Sequence, residues 1–406
     1  MATYLKRTCG STASSYTVSM WVKTAKSSGT SSSGLFWNGA TNKISWEQNA
    51  SSQIYYYNGS VYRTTGYFRD VSGWYHIVWS VNAGTGTLYV NNESALIAGT
   101  ASGVGALVSA NEIQIGADGG SSTFEGIMSH VHFIDGTAYT PSAFGETDAT
   151  TGEWKIKTSP SVTYGTNGFF VLKDGNSVTD QSGNSNNLTI SGTLTNTEDC
   201  PSDVFATGNP LDQNGGMTFS EGNLTFASTS ASWRSTKGTL GMTAGKYYWE
   251  VKVINTSGAL LDMNVGVIDF SLASQSEYST ANPALAYNAG DGSKSFNGSN
   301  SSYGSSYTVG DIIGVAFDAD NLTVEFFKNG TSQGVVNTGW SSGITWTPVI
   351  AVYGRYNNTK ASANFGNGYF GTTVITSAGT NASNIGVFEY DVPTGYTALS
   401  TKGLNN

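Results

Sequence analysis

The stretch SYTVSMWVK, Ser15 to Lys23, sets the reading of the whole chain. Tyr16, Val18, Met20 and Val22 fall on one side of an extended backbone, and Thr17, Ser19 and Lys23 on the other. Successive side chains of a strand point to opposite faces, so this alternation predicts a half-buried β-strand. The period recurs in WYHIVWSVN through Ile77, Trp79 and Val81, in YYWEVKV through Tyr247, Trp249, Val251 and Val253, and in IIGVAFD through Ile313, Val315 and Phe317. Turn formers separate these runs: Asn58-Gly59, Asn91-Asn92, Gly119-Gly120 and Asn329-Gly330. No segment sustains a helical period. Many short strands joined by tight turns predict an all-β chain of antiparallel, jelly-roll-like β-sandwiches.

Composition bounds the rest. At roughly 150 residues per domain, 406 residues imply two or three domains, each large enough for its own core. Charged residues are 12% of the chain, about half the usual share of ~25%. Aromatics are also 12%, with 10 Trp, 22 Tyr and 18 Phe, so there is ample apolar surface to offset chain entropy. With only 7 Pro and no Gly-X-Y period, a collagen-like chain is excluded. Net charge is -9 and, apart from the adjacent Lys6-Arg7, the basic residues are scattered singly, which argues against a nucleic-acid partner. No run of about 18 apolar residues could span a bilayer, and the opening MATYLKRTCGST has no apolar signal region. Cys9 and Cys200, far apart in sequence, are expected as unpaired thiols.

A small unit occurs twice. Gly73 to Ala95 reads as strand, tight turn, strand and Asn-rich turn, and Gly310 to Gly334 has the same order. Each half of the chain is therefore expected to own a sandwich. Residues 196–217 hold two of the seven Pro and no alternation, which predicts a linker anchored by Val204, Phe205 and Leu211. The expected domains are 1–195 and 218–390, with 391–406 as a closing tail.

The first half resembles the laminin-G-like branch of the concanavalin A-like superfamily. The resemblance rests on Gly73-Trp74-Tyr75-His76-Ile77-Val78, on Leu88-Tyr89-Val90-Asn91, and on Phe124-Glu125-Gly126-Ile127 leading to Val131 and Phe133. Asp180-x-Ser182-Gly183-Asn184 also matches, but in the family such an element opens the domain and here it closes it. The strand order is then expected to be permuted. The second half is similar to a SPRY domain, through Gly245-Lys246-Tyr247-Tyr248-Trp249-Glu250-Val251, Val265-Gly266-Val267, Gly310 to Asp318, and Leu322 to Gly330. The combination, with His132 to Trp154, Tyr164 to Asp174, Ala206 to Asp212 and Pro393-x-Gly395-Tyr396-x-Ala398-Leu399, resembles virion proteins of tailed bacteriophages. That resemblance implies a structural protein on the particle surface, a tail fibre or capsid fibre or knob, made in the host cytoplasm without a signal peptide. It further implies other virion proteins as partners and a homo-oligomer, a trimer being the usual fibre state.

Catalytic constellations are sparse. Paired carboxylates that could hydrolyse a glycan are approached at Glu146-x-Asp148 and Glu389-x-Asp391, but each lacks a third carboxylate. His130 and His132 share one strand face by spacing, expected as its polar outer face, and His76 is expected as a rim residue; no third metal ligand adjoins them. No cofactor is expected. Laminin-G-like domains often hold calcium, for which Asp118 and Asp180 are the candidates, although turn chemistry explains both equally well. Sugar recognition needs flat apolar faces and short hydrogen-bonding groups. Trp37, Tyr55 and Tyr57 in the first domain, and Trp233, Arg234, Tyr303, Trp340, Arg355 and Tyr356 in the second, are the candidate ligand-binding residues. The leading expectation is a non-enzymatic protein that binds host envelope glycan. A scaffold or decoration subunit and a polysaccharide depolymerase are the alternatives.

Overall fold

A computed structural model describes the chain apart from residues 1, 12, 27–31, 40–41, 48–51, 107–111, 174–177, 229–231, 256–262, 273–282, 355–358 and 406. The chain divides into two compact units, Met1–Asn196 and Thr197–Asn406. Both are antiparallel sandwiches. Among the described residues, helix is confined to a 3-10 turn at Pro141–Ala143 and one turn at Thr401–Leu404.

In the first unit, one sheet runs Thr189–Ser191, Tyr4–Thr8, Glu112–Ile115, Ser32–Trp37, Lys43–Glu47, Ile54–Tyr57, Val61–Arg63. The other runs Phe169–Val171, Gly126–Asp135, Tyr16–Thr24, Tyr75–Asn82, Thr85–Val90, Glu93–Ser94. Their facing sides close over Tyr16, Val18, Met20, Val22, Ile44, Trp46, Tyr56, Trp79 and Phe133, all buried. The strand that follows Asp180, Thr189–Ser191, pairs antiparallel with Tyr4–Thr8, setting Tyr4 opposite Ser191. First and last strands of the unit are thus neighbours in one sheet.

The expectation of half-buried strands fails at Tyr16–Thr24, where every residue is buried. The cause is the segment that follows Asp135. Phe144 packs with Val78 and Ile134 on the outer side of the sheet, and Tyr139, Val162 and Tyr164 pack against them. Thr17 donates to the Thr137 carbonyl (2.8 Å) and accepts from the Tyr139 N–H (2.8 Å), satisfying a hydroxyl that burial would otherwise penalise. His76 is a core residue rather than a rim one: it stacks on Trp21 with centroids 4.7 Å apart, and its Nδ1 accepts from the Trp154 indole N–H (3.0 Å). That bond leaves Nε2 to carry the proton and donate to Ser19 Oγ (2.9 Å). Burial holds its pKa down at about 3. His130 and His132 do not form a polar outer face either. The register shifts between Ser129 and His132, with His130 at a positive φ of 47°, and both imidazoles are buried. His132 stacks on Phe170 at 3.9 Å and shares a hydrogen bond with the Tyr164 hydroxyl (2.9 Å).

The second unit packs the sheet Gly208–Gln213, Trp233–Gly238, Trp346–Tyr353, Met263–Asp269, Ala284–Asn288, Lys294–Phe296, Ser299–Ser301 against a second sheet. The second runs Met217–Ser220, Thr225–Ser228, Thr359–Asn364, Lys246–Asn255, Ile312–Asp318, Thr323–Lys328, Thr331–Asn337. Trp249, Val251, Val265, Tyr287, Val315, Phe317, Phe326 and Trp346 form its core. The repeated strand-turn-strand unit is an antiparallel hairpin in each sandwich, Tyr75–Asn82 with Thr85–Val90 and Ile312–Asp318 with Thr323–Lys328. At the Asn329-Gly330 turn both residues have positive φ, 49° and 76°, as a tight hairpin turn requires.

Two boundaries differ from expectation. Residues 197–217 are built into the second unit: Phe205 is buried, and Gly208–Gln213 pairs with Trp233–Gly238. The last residues do not form an irregular tail. Thr397–Ala398 adds in parallel to Lys246–Asn255, Leu399 joins the core, and Ser400 caps the terminal turn by accepting from the Gly403 N–H. Glu250 explains why the preceding loop stays there. Its buried carboxylate accepts from the Glu389 and Tyr390 N–H groups (2.9 Å each), the Tyr248 hydroxyl (3.2 Å) and Asn364 Nδ2 (3.3 Å).

Candidate functional site

Three of the aromatic candidates share one surface. Strand alternation turns Ile44, Trp46, Ile54 and Tyr56 into the core of the first unit, which leaves Lys43, Ser45, Tyr55 and Tyr57 on the outer face of the same sheet. The register aligns Lys6, Gln114, Trp37, Lys43, Tyr57 and Val61 across neighbouring strands, and a second row sets Ser45, Tyr55 and Arg63 side by side. Trp37 and Tyr57 are half-buried, whereas Tyr55 is 7% exposed and lies beneath its neighbours. Lys43 Nζ reaches over the Tyr57 ring, 5.4 Å from its centroid, and pairs with Asp118. Gln114 Oε1 fixes the adjoining turn by accepting from the Gly120 N–H (2.9 Å).

The charges on this face are paired. Arg63 donates through Nε and NH2 to one Glu47 oxygen, at 3.0 and 2.8 Å, and Glu47 raises the guanidinium pKa further. Lys6 faces Glu112 at 3.5 Å. Among the described residues the face therefore offers aromatic rings, an amide and hydroxyls with no unbalanced charge. Lys43, Ser45, Arg63 and Gln114 were not singled out from sequence. The alternation in KISWE and EIQI carried the signal, because each polar residue there alternates with an apolar one.

The second unit uses its candidates differently. Trp340 is 9% exposed, stacks on Trp346 with centroids 4.0 Å apart and donates its indole N–H to Asn297 Oδ1 (3.1 Å). Tyr303 packs edge-on against Tyr287 and Phe326, donates its hydroxyl to the Gly334 carbonyl, and has its pKa pushed up to about 12 by burial. Both rings thus serve packing. Trp233 meets Tyr353 edge-on at 5.7 Å, on the sheet face that also buries Val349 and Ala351. Arg234 lies opposite Val352 and against Gly216, where a Cβ would come within 3.0 Å of its Nε. Arg355 and Tyr356 lie outside the described residues.

The carboxylate candidates are tied into turns. Asp148 accepts from the Thr150 and Thr151 N–H groups (2.8 and 3.0 Å) and from Lys155 Nζ (3.0 Å), and the two backbone bonds lead in holding its pKa well below the usual range. Glu146 lies 3.6 Å from the same ammonium. Asp391 accepts from the Thr380 N–H and hydroxyl (2.6 and 2.8 Å). Asp180 takes four donors, the N–H groups of Phe170, Ser182 and Asn186 and the Ser182 hydroxyl, each within 2.9 Å. With Asp118 paired to Lys43, neither calcium candidate presents a bare carboxylate. Among the described residues no group of three or more His, Cys, Asp or Glu could hold a metal ion.

Comparison with known proteins agrees with this architecture. The SPRY domain family matches residues 246–368, and the concanavalin A-like lectin/glucanases superfamily matches residues 3–143. A curated relative, the ATP-dependent RNA helicase DDX1 of Xenopus laevis, is 30% identical over 137 residues, covering 31% of this chain and 16% of the helicase. The match thus spans about a sixth of that relative's length. Among solved structures, the SPRY domain of human HERC1 is 20% identical, with 38% of this chain and 96% of that chain covered and a TM-score of 0.35. Another human SPRY domain is 17% identical, with 37% and 94% covered and a TM-score of 0.29. The chain carries a concanavalin A-like domain followed by a SPRY domain, each an antiparallel β-sandwich.

Proposed function

We propose that this protein is a non-enzymatic surface component of a tailed-bacteriophage particle, a tail fibre or a capsid fibre or knob, that contributes to host attachment by binding envelope glycan. The observation that carries the binding part is the outer face bearing Trp37, Tyr57, Lys43, Ser45 and Gln114. A ring supplies a flat surface for the C–H face of a sugar, and short amide and hydroxyl groups meet its hydroxyls. The virion placement rests on the sequence resemblance alone. In this reading the protein is mounted through other virion proteins as a homo-oligomer, and many copies per particle raise a weak single-site affinity.

The test is binding of the purified protein to host cells and isolated envelope polysaccharide, with and without chelator, alongside an assay for new reducing ends. Saturable binding without reducing ends supports the proposal. Release of reducing ends that Glu146→Gln or Glu389→Gln abolishes would replace it with a depolymerase. Absence of binding, with normal adsorption of particles lacking the protein, would replace it with a scaffold.

A further inference from the structure

Resting on that reading, we infer that the ligand of the first domain's outer face is an uncharged, extended saccharide chain that lies across the strands, with one sugar on Trp37 and another two units along at Tyr57, where it meets the ring edge and the Lys43 ammonium that lies over the ring. Three observations lead there.

Charge excludes the alternatives. Lys6, Lys43 and Arg63 are the cations the register places on this face, and each is matched by a carboxylate, Glu112, Asp118 and Glu47 respectively. An acidic polysaccharide would have to displace one of these partners, and a cationic one would have to displace Lys43 from Asp118. Either exchange forfeits an existing pair to form a new one, so charge gives no net attraction. By sequence, 27–31, 40–41, 48–51 and 107–111, which adjoin strands of this sheet, contain no charged residue.

Spacing sets the length. Trp37 and Tyr57 stand in one cross-strand row with Lys43 between them, two strand separations apart, which is about 10 Å. That reach suits sugars two units apart in an extended chain, and a single monosaccharide cannot cover it. The intervening groups are suited to hydroxyls. Lys43 has part of its donor capacity committed to Asp118, while Gln114 beside Trp37 retains a carboxamide N–H pair, one arm of which reaches Glu112 Oε1 (2.7 Å). Hydroxyl groups both donate and accept, so they fit such partly committed partners without adding charge.

The test is titration calorimetry of the full-length protein with neutral hexasaccharides (cello-, manno- and malto-series) and with oligogalacturonate and chitosan hexamers, from roughly 0.01 M to 1 M salt, over which the screening length falls from about 30 to 3 Å. The expected result is binding of a neutral hexamer with a Kd constant across that range. It should weaken about tenfold for the matching disaccharide and about tenfold in Trp37→Ala, with the variant's unfolding temperature unchanged. Tighter binding of a charged hexamer, lost at high salt, would overturn the inference on ligand class and leave attachment standing. Host-cell binding that no neutral hexamer competes would do the same. Absence of binding to cells and to every hexamer would overturn both this inference and the attachment reading.

Discussion

The buried carboxylate of Glu250 gives a pH signature specific to the second unit. Burial is the largest influence on it and raises its pKa from 4.5 to about 7, against the opposing pull of the Glu389 and Tyr390 N–H groups, Asn364 and Tyr248. A folded-state pKa above the unfolded one means that the native protein holds a proton the unfolded chain has released. Stability from this group is therefore fully present below about pH 4.5 and is lost as pH rises through about 7. The difference of roughly 2.5 pKa units corresponds to about 3 kcal/mol at most. For a unit of this size that lowers Tm by roughly 6 to 12 °C between pH 4.5 and 8.

His76 and His132, held neutral by burial in the other unit, act with the opposite sign below about pH 6.5. The assay must separate the two. Hydrogen exchange read at residues 385–399, whose Glu389 and Tyr390 amides Glu250 holds, reports the local opening directly. Those amides should exchange faster, relative to their intrinsic rates, at pH 8 than at pH 5. Glu250→Gln should remove the pH dependence, at a constant cost of about 1–3 kcal/mol from turning an amide N–H toward one of the backbone donors. Equal slopes in Glu250→Gln and the parent would refute the assignment.

Other perturbations separate packing from recognition. Trp340→Ala should cost about 3–5 kcal/mol by denaturant unfolding, since the ring is stacked on Trp346 and buried, and glycan affinity of the folded fraction should not change. Asp180→Ala should cost about 2–5 kcal/mol, because it strands the N–H groups of Phe170, Ser182 and Asn186. Nitrogen-15 NMR of His76 should show a neutral ring with the proton on Nε2 at pH 5, well above its pKa of about 3, and a charged ring there would contradict the Trp154 hydrogen bond. Gly145→Val should unseat the Trp154 hairpin, since a Cβ alone comes within 2.5 Å of the indole, and tryptophan fluorescence would report the change.

Fold class was legible because alternation is local. The runs at Tyr16, Ile77, Tyr247 and Ile313 each became a strand whose apolar face lines a core. What covers a strand's second face is not local. Thr17, Ser19 and Lys23 read as solvated, yet all three are buried, and residues beyond Asp135 reach the first two: Thr137 and Tyr139 bond Thr17, and Trp154 bonds the His76 ring that meets Ser19. Histidines suffered for the same reason: His76 and His132 find their aromatic partners Trp154 and Tyr164 far along the chain. The edge strand Gly208–Gln213 escaped because it holds a proline and its register is irregular, so period two never appears. Of the candidate site, Trp37, Tyr55 and Tyr57 were legible from composition, but their common face needed the cross-strand register. Trp340 and Tyr303 have the same composition signal and a different fate, since aromatic residue type does not distinguish a core ring from a surface one.

The most direct test of the central claim is competition. Host cells are incubated with purified protein, parent or Trp37→Ala with Tyr57→Ala, before phage is added, and free phage is counted. The account predicts that the parent blocks adsorption in a saturable way and that the double variant, equally folded, does not. Undiminished blocking by the double variant would contradict the role given to this face.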